Sequence, residues 1–281
     1  MTSQETLSLL ACQIEIPPTP DAAARDRHLA ETAAKIRARL AEKPADIVVL
    51  PELSSIDYSR SAFARLDEIA EPLDGASFQT WSALAVECGV FVCYGLARRD
   101  ATGTYISMAV ATPQGTLAGH YDKLHLCQYG ASMEKEYFFR GSGIFTFRIK
   151  GFTLAPIICY DIRFPELSRV LVLKHGVDVI LHSGAYFRDP SFPTWHAFAT
   201  TRAIENQVYF LSLNRAGQDY GNSLFCYPWM DDTSGPQPFA EHDEDFRYLE
   251  VDRQHIGEAR ADYTFLKDRW DSYDRPCLVH P

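Results

Sequence analysis

Nothing in the 281 residues approaches the run of ~20 apolar residues that a helical membrane span needs, so a spanning segment is excluded from the reading. Positive charge is also scarce. Lysine and arginine number 27 against 37 aspartates and glutamates, a formal net charge of −10. That balance offers no footprint for nucleic acid and makes anionic membranes poor partners. No C-x-x-C pair occurs, which removes the usual resolving-cysteine signature of a thiol redox protein. No Pro/Ser/Gly-rich linker and no internal repeat divides the chain, so one domain over residues 1–281 is expected. The start, Met1-Thr-Ser-Gln-Glu-Thr6, has neither a basic segment nor an apolar leader core. The seven cysteines (Cys12, Cys88, Cys93, Cys127, Cys159, Cys226 and Cys277) are odd in number and scattered through apolar segments. Together these features predict reduced thiols in a cytoplasmic setting.

What is present is an alternation of short apolar runs with helical periodicity. Leu7 to Ile14, Asp46 to Leu50, Val90 to Leu96, Phe152 to Ile158, Val177 to His182 and Val208 to Leu213 read as strands. Asp21 to Leu40, Ser77 to Glu87, Pro165 to His175 and Pro193 to Asn206 read as helices. Met108 to Leu117 reads as a hairpin turning at Pro113-Gln-Gly115, and Ile144 to Ile158 as another turning at Lys150-Gly151. The pattern predicts an α/β domain with a mostly parallel sheet and antiparallel pieces. Asp231 to Asp245 is acidic, carries two prolines and reads as a surface loop. The aperiodic end, residues 262–281 and above all Trp270 to Pro281, reads as a tail that wraps a neighbouring element or a second subunit.

Cys159 is the most informative single position. It closes the apolar run Phe152–Ile158 and is followed by Tyr160-Asp-Ile-Arg-Phe-Pro-Glu166. Pro165 cannot continue a strand but suits a helix's first turn, where Glu166 meets the positive end of the dipole. A thiol therefore sits at the carboxyl end of a buried strand, where open α/β sheets place their ligands. From this turn alone, a nucleophile and a small buried core residue are both consistent readings. Two more polar residues share the pattern. Glu52 follows Ile47-Val-Val-Leu50, and Lys123 sits in Gly119-His-Tyr-Asp-Lys-Leu-His-Leu126. Each alone reads equally well as a cap or a solvated charge. As a trio they match a definite chemistry. A thiol is mostly protonated at neutral pH and needs a base; a carboxylate supplies one; an ammonium favours the thiolate and the oxyanion that forms when a carbonyl becomes tetrahedral.

Three blocks, Pro51-Glu52-Leu53, Tyr121-Asp-Lys123-Leu-His-Leu126 and Ile158-Cys159-Tyr-Asp-Ile-Arg-Phe-Pro-Glu-Leu167, resemble the signature blocks of the nitrilase superfamily, the carbon–nitrogen hydrolases, and stand in that family's order. The resemblance covers nearly the whole chain. It implies a four-layer α-β-β-α sandwich with Glu52 as general base, Lys123 as stabiliser of the tetrahedral intermediate and Cys159 as nucleophile. The backbone N–H of Tyr160 would share the oxyanion. Glu134, in Glu134-Lys-Glu-Tyr-Phe-Phe-Arg-Gly141, resembles a second family glutamate that positions the lysine and the substrate. Arg140 stands where many relatives have proline. Tyr227-Pro-Trp-Met230 departs from the family's usual turn. Arg202 and Glu205, three apart on a helix, can pair.

The form Cys159-Tyr-Asp-Ile-Arg-Phe-Pro-Glu166 resembles the ω-amidase and aliphatic amidase branch, which implies hydrolysis of a small carboxamide to an acid and ammonia through a thioester, with no cofactor and no metal. An N-carbamoyl hydrolase or a nitrilase would use the same trio. The substrate-pocket candidates are Ser183, Gly184, Ala185, Tyr186 and Phe187 after the strand ending at His182, and Tyr129 in Gln128-Tyr-Gly-Ala-Ser132. Arg140 and Arg188 are candidates for holding a distal carboxylate, or are solvated. His120, His125 and Cys127 are chemically able to bind zinc, but their spacing fits no familiar zinc pattern. The resemblance also implies a homodimer or larger homo-oligomer.

Overall fold

Two six-stranded sheets lie face to face in the computed structural model, which describes residues 6–232 and 234–273. The first sheet contains β1 (Thr6–Gln13), β2 (Ile47–Val49), β3 (Phe91–Asp100), β4 (Gly103–Ala111) and β5 (Leu117–Asp122). The second contains β6 (Phe147–Ile149), β7 (Phe152–Ile158), β8 (Val179–Ser183), β9 (Tyr209–Leu213), β10 (Leu224–Cys226) and β11 (Gln237–Pro238). Then β12 (Asp245–Asp252) returns to the first sheet and pairs antiparallel with β1. The spatial orders are β12-β1-β2-β3-β4-β5 and β11-β10-β9-β8-β7-β6.

Parallel pairing is confined to the centre of each sheet, β1-β2-β3 and β7-β8-β9. The remaining pairs are antiparallel, so the mostly parallel sheet expected from the alternation is corrected to two mixed sheets. The physical reason lies at their edges. Helical crossovers build the centre, and hairpins extend it outward. One hairpin, β3 to β4, escaped the sequence reading because Arg98-Arg99-Asp100 resembles a solvated loop. Asp100 makes the turn itself, its carboxylate accepting the N–H groups of Thr102 at 2.7 Å and Gly103 at 3.2 Å. The turn at Lys150-Gly151 forms as expected, with positive φ at both residues (49° and 81°).

Helices α1 (Ala22–Glu42) and α4 (Ala76–Cys88) close the outer face of the first sheet, and α5 (Pro165–His175) and α6 (Phe192–Asn206) that of the second. The single-turn α2 (Arg60–Phe63) and α3 (Leu66–Ile69) and the later α7 (Arg253–Asp262) instead add Phe63, Leu66, Ile69 and Ile256 to the core between the sheets, and the short α8 (Phe265–Asp268) follows. Asp21 caps α1 by accepting the Ala24 N–H at 2.7 Å. Pro165 opens α5, and Gly176 ends it in the left-handed region at φ 64°. Leu29, Ile36, Trp81 and Leu84 pack on one face of the first sheet, and Leu171, Trp195 and Ala199 on one face of the second. Between the sheets Leu9, Val49 and Met108 meet Leu154, Val179 and Leu211. The result is the α-β-β-α sandwich. It also explains why β7 reads as a continuous apolar run. Leu154 and Ile158 point between the sheets, Ala155 and Ile157 point at the helices, and all are buried.

At the chain's end Trp270 and Tyr273 are exposed and stack with ring centroids 6.2 Å apart. The rest of the expected tail, residues 274–281 with Cys277, lies outside the described residues.

Candidate active site

Three loops at strand ends deliver the trio. Glu52 leaves β2 through a backbone that turns at Leu53 with φ 46°. That turn presses on β3 so closely that a Cβ on Gly95 would lie 2.4 Å from the Pro51 carbonyl oxygen, so glycine is required there. Arg215, buried, donates to the carbonyls of Glu52, Leu53 and Ile56 at 3.0, 3.3 and 3.4 Å and fixes the loop from the second sheet. Lys123 follows β5, its N–H bonded to the Ile106 carbonyl at 2.9 Å. Cys159 follows β7 with φ 44°, a conformation costly for a residue with a Cβ and held by its surroundings.

The side chains converge. The Lys123 ammonium lies 2.7 Å from Glu52 Oε1 and 2.6 Å from Glu134 Oε1, and all three side chains are fully buried. Glu52 Oε2 accepts the Ala185 N–H at 2.8 Å. Glu134 also accepts the Tyr58 hydroxyl at 2.8 Å and the Cys127 N–H at 2.8 Å. Burial works to lower the Lys123 pKa, but Glu134 and Glu52 outweigh it and hold the pKa well above the ordinary value. Glu134 is pushed up by burial, with Lys123 opposing and Glu52 adding to the rise. The Cys159 thiol is pushed well up, by burial first and then by the Glu52 charge, against the pull of Lys123. The raised pKa favours a neutral resting thiol, and any attack by this sulfur would need a proton acceptor.

Cys159 opens on a cavity of about 450 Å³, counted out through its open mouth into solvent. Tyr58, Tyr129, Tyr160, Ala185, Tyr186 and Phe187 share its wall with Cys159. Of the pocket candidates, Ser183 and Gly184 stand behind that wall. The Ser183 hydroxyl donates to the Leu50 carbonyl at 2.9 Å and the Gly184 N–H to the Leu213 carbonyl at 2.7 Å. Arg140 and Arg188 point elsewhere. Arg140 Nε donates to the Leu124 carbonyl at 2.7 Å, and Arg188 to the carbonyls of Tyr220 and Glu241 at 2.8 and 2.7 Å. The arginine at the cavity is Arg163, whose guanidinium carbon lies 5.6 Å from the Tyr129 ring centre and 5.0 Å from that of Phe198, and whose Nε is buried without a hydrogen-bond partner. Arg163 stands inside a quoted block, four residues after the thiol, and its place one turn of chain from Cys159 was the available signal. Tyr58 and Arg215 carried no signal in sequence.

Asp161 ties two of the loops together. Its carboxylate accepts the Tyr121 hydroxyl at 2.7 Å, the Ile158 N–H at 3.0 Å, and the His125 N–H and Nδ1–H at 3.1 and 2.7 Å. His125 is thus committed to Asp161, and His120 lies 3.6 Å from Asp122. No group of metal-ligating side chains is assembled among the described residues. Arg202 and Glu205 pair at 2.9 Å, and the Arg202 Nε also donates to the Ile162 carbonyl just beyond Cys159 at 2.9 Å.

The sequence profile described as Carbon-nitrogen hydrolase matches residues 10–261. The chain is 34% identical over 241 residues to the 2-oxoglutaramate amidase of Bacillus subtilis (strain 168), covering 82% of this chain and 88% of that one. It is 28% identical over 249 residues to the omega-amidase NIT2-A of Xenopus laevis, covering 84% and 87%. The fold superposes on Nit3 of Saccharomyces cerevisiae, described as a member of branch 10 of the nitrilase superfamily, with a TM-score of 0.81 at 24% identity over 96% of this chain and 97% of that chain.

Proposed function

Because the chain belongs to the carbon–nitrogen hydrolase family, whose members are hydrolases of non-peptide carbon–nitrogen bonds, we propose that it is an amidase for a small carboxamide with a negative charge at its far end. One observation carries the reading: Cys159 and Arg163 line one cavity, and behind its wall residue Ala185 the Glu52 carboxylate is paired at 2.7 Å with the Lys123 ammonium, both charges acting on the thiol. Glu52 takes the thiol proton as sulfur attacks the amide carbonyl. The carbonyl electrons move onto oxygen, where Lys123 and the Tyr160 N–H receive the charge. Collapse expels ammonia with the proton returned through Glu52 and leaves a thioester. Glu52 then deprotonates water, which attacks the thioester; the acid leaves and the proton returns to sulfur. Glu134 holds Lys123 in place. No step calls for a metal or organic cofactor. Ala185, Tyr186, Phe187 and Tyr129 shape the pocket in this reading, and Ser183 and Gly184 support it from behind.

Arg163 favours the charged tail. It lies at the cavity, carries a buried unpartnered N–H, and forms no ion pair among the described residues. The relative named 2-oxoglutaramate amidase has such a substrate in its name, an amide at one end and an acid at the other. The six described cysteines are free, which suits a nucleophilic thiol in a reducing cytoplasm. The exposed Trp270 and Tyr273 favour a homo-oligomer that covers them.

Ammonia release should be measured over ω-amido acids, neutral aliphatic amides, nitriles and N-carbamoyl amino acids. The reading expects ω-amido acids to lead, and Arg163→Ala to raise their KM at least about tenfold, the equivalent of one charge-assisted hydrogen bond, while neutral amides change little. Ammonia from none of the amides would end it.

A further inference from the structure

The carbonyl oxygen of Cys159 is gripped from one side by two side chains. His182 Nε2 lies 2.9 Å from it and the Tyr186 hydroxyl 2.8 Å. A carbonyl only accepts, so Nε2 carries the imidazole proton and Nδ1 is bare. Nδ1 faces the Ser212 hydroxyl at 2.6 Å, and that oxygen in turn accepts the Trp195 indole N–H at 2.7 Å. The directions run one way: Trp195 to Ser212 to His182 to the Cys159 carbonyl. His182 and Ser212 have no exposed surface and Trp195 has 1%. Burial drives the His182 pKa down to about 4, so the ring is neutral, as the relay demands. Nothing in the proposed chemistry uses this chain of groups.

The peptide that carries the gripped carbonyl also carries the N–H of Tyr160. In a planar trans peptide these two point in opposite directions. Fixing the carbonyl therefore fixes the N–H. The need for a grip is plain, since Cys159 sits at φ 44°, where the backbone of a residue with a Cβ relaxes readily if released. We propose that Trp195, Ser212 and His182, together with Tyr186, are positioning residues that lock the Cys159–Tyr160 peptide and so aim the Tyr160 N–H at the oxyanion of the tetrahedral intermediate. The inference rests on the acyl-transfer reading above. It assigns His182 and Ser212 a part in the transition state without contact to substrate.

The test separates aiming of the oxyanion donor from nucleophilicity. Iodoacetate carries no amide and alkylates a thiol by displacing iodide at a saturated carbon, where no oxyanion forms, so it reports the thiol alone. In His182→Phe, kcat for amide hydrolysis is expected to fall about 10- to 100-fold, short of the 10²–10³ lost when an oxyanion donor is removed outright. KM and the rate of Cys159 alkylation, mapped by mass spectrometry, should stay within about twofold, because ground-state binding and the thiol are untouched. His182→Gln, which presents an N–H at the same reach, should recover most of kcat. Tyr186→Phe removes a single hydroxyl and gives a smaller loss of the same kind should His182→Phe fail to fold. Unchanged kcat in a folded His182→Phe or in Tyr186→Phe overturns the inference. So does alkylation falling in step with kcat, or a loss carried by KM. A wild type that releases no ammonia from any amide ends the underlying reading instead, and the inference with it.

Discussion

Glu52 and Ala185 are joined by a hydrogen bond of 2.8 Å from the backbone N–H of one to Oε2 of the other, and the bond crosses from the first sheet to the second. The same carboxylate holds Lys123 through Oε1 at 2.7 Å. Glu52 is thereby fixed in orientation, and its own backbone carbonyl is fixed by Arg215. In the proposed reaction a base with so little freedom would serve two proton transfers in succession without moving.

Glu52→Gln keeps the shape but removes the proposed base, and its one oxygen serves only one of the two contacts, so its N–H₂ faces either the Ala185 N–H or the Lys123 ammonium. General-base loss typically costs about 10²–10⁴-fold, so kcat for ammonia release should drop by that order, and the thermal midpoint should fall as well because a buried donor is left unpaired. Parallel steady-state assays and melting curves check this. A variant retaining more than a tenth of the activity would mean that Glu52 only holds the site together.

The state of the thiol gives a second prediction. Burial and Glu52 both raise the Cys159 pKa, and Lys123 opposes them. Alkylation of Cys159 by iodoacetate should therefore climb with pH through a midpoint above the ~8.5 of a free thiol. In Glu52→Gln one of the raising charges is gone, so the midpoint should move down. Peptide mapping keeps Cys127, which shares the cavity wall, out of the measurement. A wild-type midpoint below that of free cysteine would place a resting thiolate in the site and remove the need for a base in the first step.

The residues proposed to do the chemistry were legible in the sequence because each is a polar group out of place, at the end of an apolar run. Glu52, Lys123 and Cys159 stand where a strand has just ended, and strand ends of an α/β domain face a common side. The residues that hold them were not legible. Asn214 and Arg215 follow β9 as an ordinary polar turn would, yet Asn214 bonds the N–H and the carbonyl of Tyr186 at 2.8 and 3.0 Å and Arg215 clamps the Glu52 loop. Their partners lie 28 and 163 residues away in sequence, and no local periodicity encodes such contacts. Ser183 and Gly184 show the converse. Proximity to His182 in sequence suggested the pocket, but alternation along the strand end turns Ser183 toward the Leu50 carbonyl.

Asp161 supplies a third prediction, on stability and activity together. Its carboxylate receives four donors, from Tyr121, Ile158 and twice from His125, and is fully buried. Asp161→Asn replaces one accepting oxygen by an N–H₂ that must face donors. The Tyr121 hydroxyl can rotate to accept; the Ile158 N–H cannot. Each buried group left unpaired costs about 1–3 kcal/mol, so unfolding free energy from denaturant titration should fall by at least that. Because the loop bearing Lys123 and the turn bearing Cys159 are tied through this one side chain, kcat should fall as well. Tyr121→Phe, which loses a single donor, should cost about 1 kcal/mol. Equal stability of Asp161→Asn and wild type would show that these bonds add nothing net.

Lys123→Met isolates the cost of two carboxylates facing each other without a cation. In the wild type the ammonium lies 2.6–2.7 Å from both, and all three groups are sealed from water. Removing one member of a buried ionic cluster costs about 3–5 kcal/mol at neutral pH. The sign of the pH dependence follows from Glu134. Its pKa is already raised by burial, with Lys123 opposing the rise, so the variant's value climbs further. A carboxyl group whose folded pKa exceeds its unfolded one destabilises the fold above the folded pKa. That penalty fades as pH falls toward the ordinary carboxylate value of about 4.3, because the folded protein takes up the proton first. The stability gap between wild type and Lys123→Met should therefore narrow as pH is lowered through the range between those two values. Denaturant titrations of both proteins across that range measure it. A gap that stays constant or widens toward acid would mean that Glu52 and Glu134 do not share one buried charge with Lys123, and the assignment of Lys123 as the cation of the site would go with it.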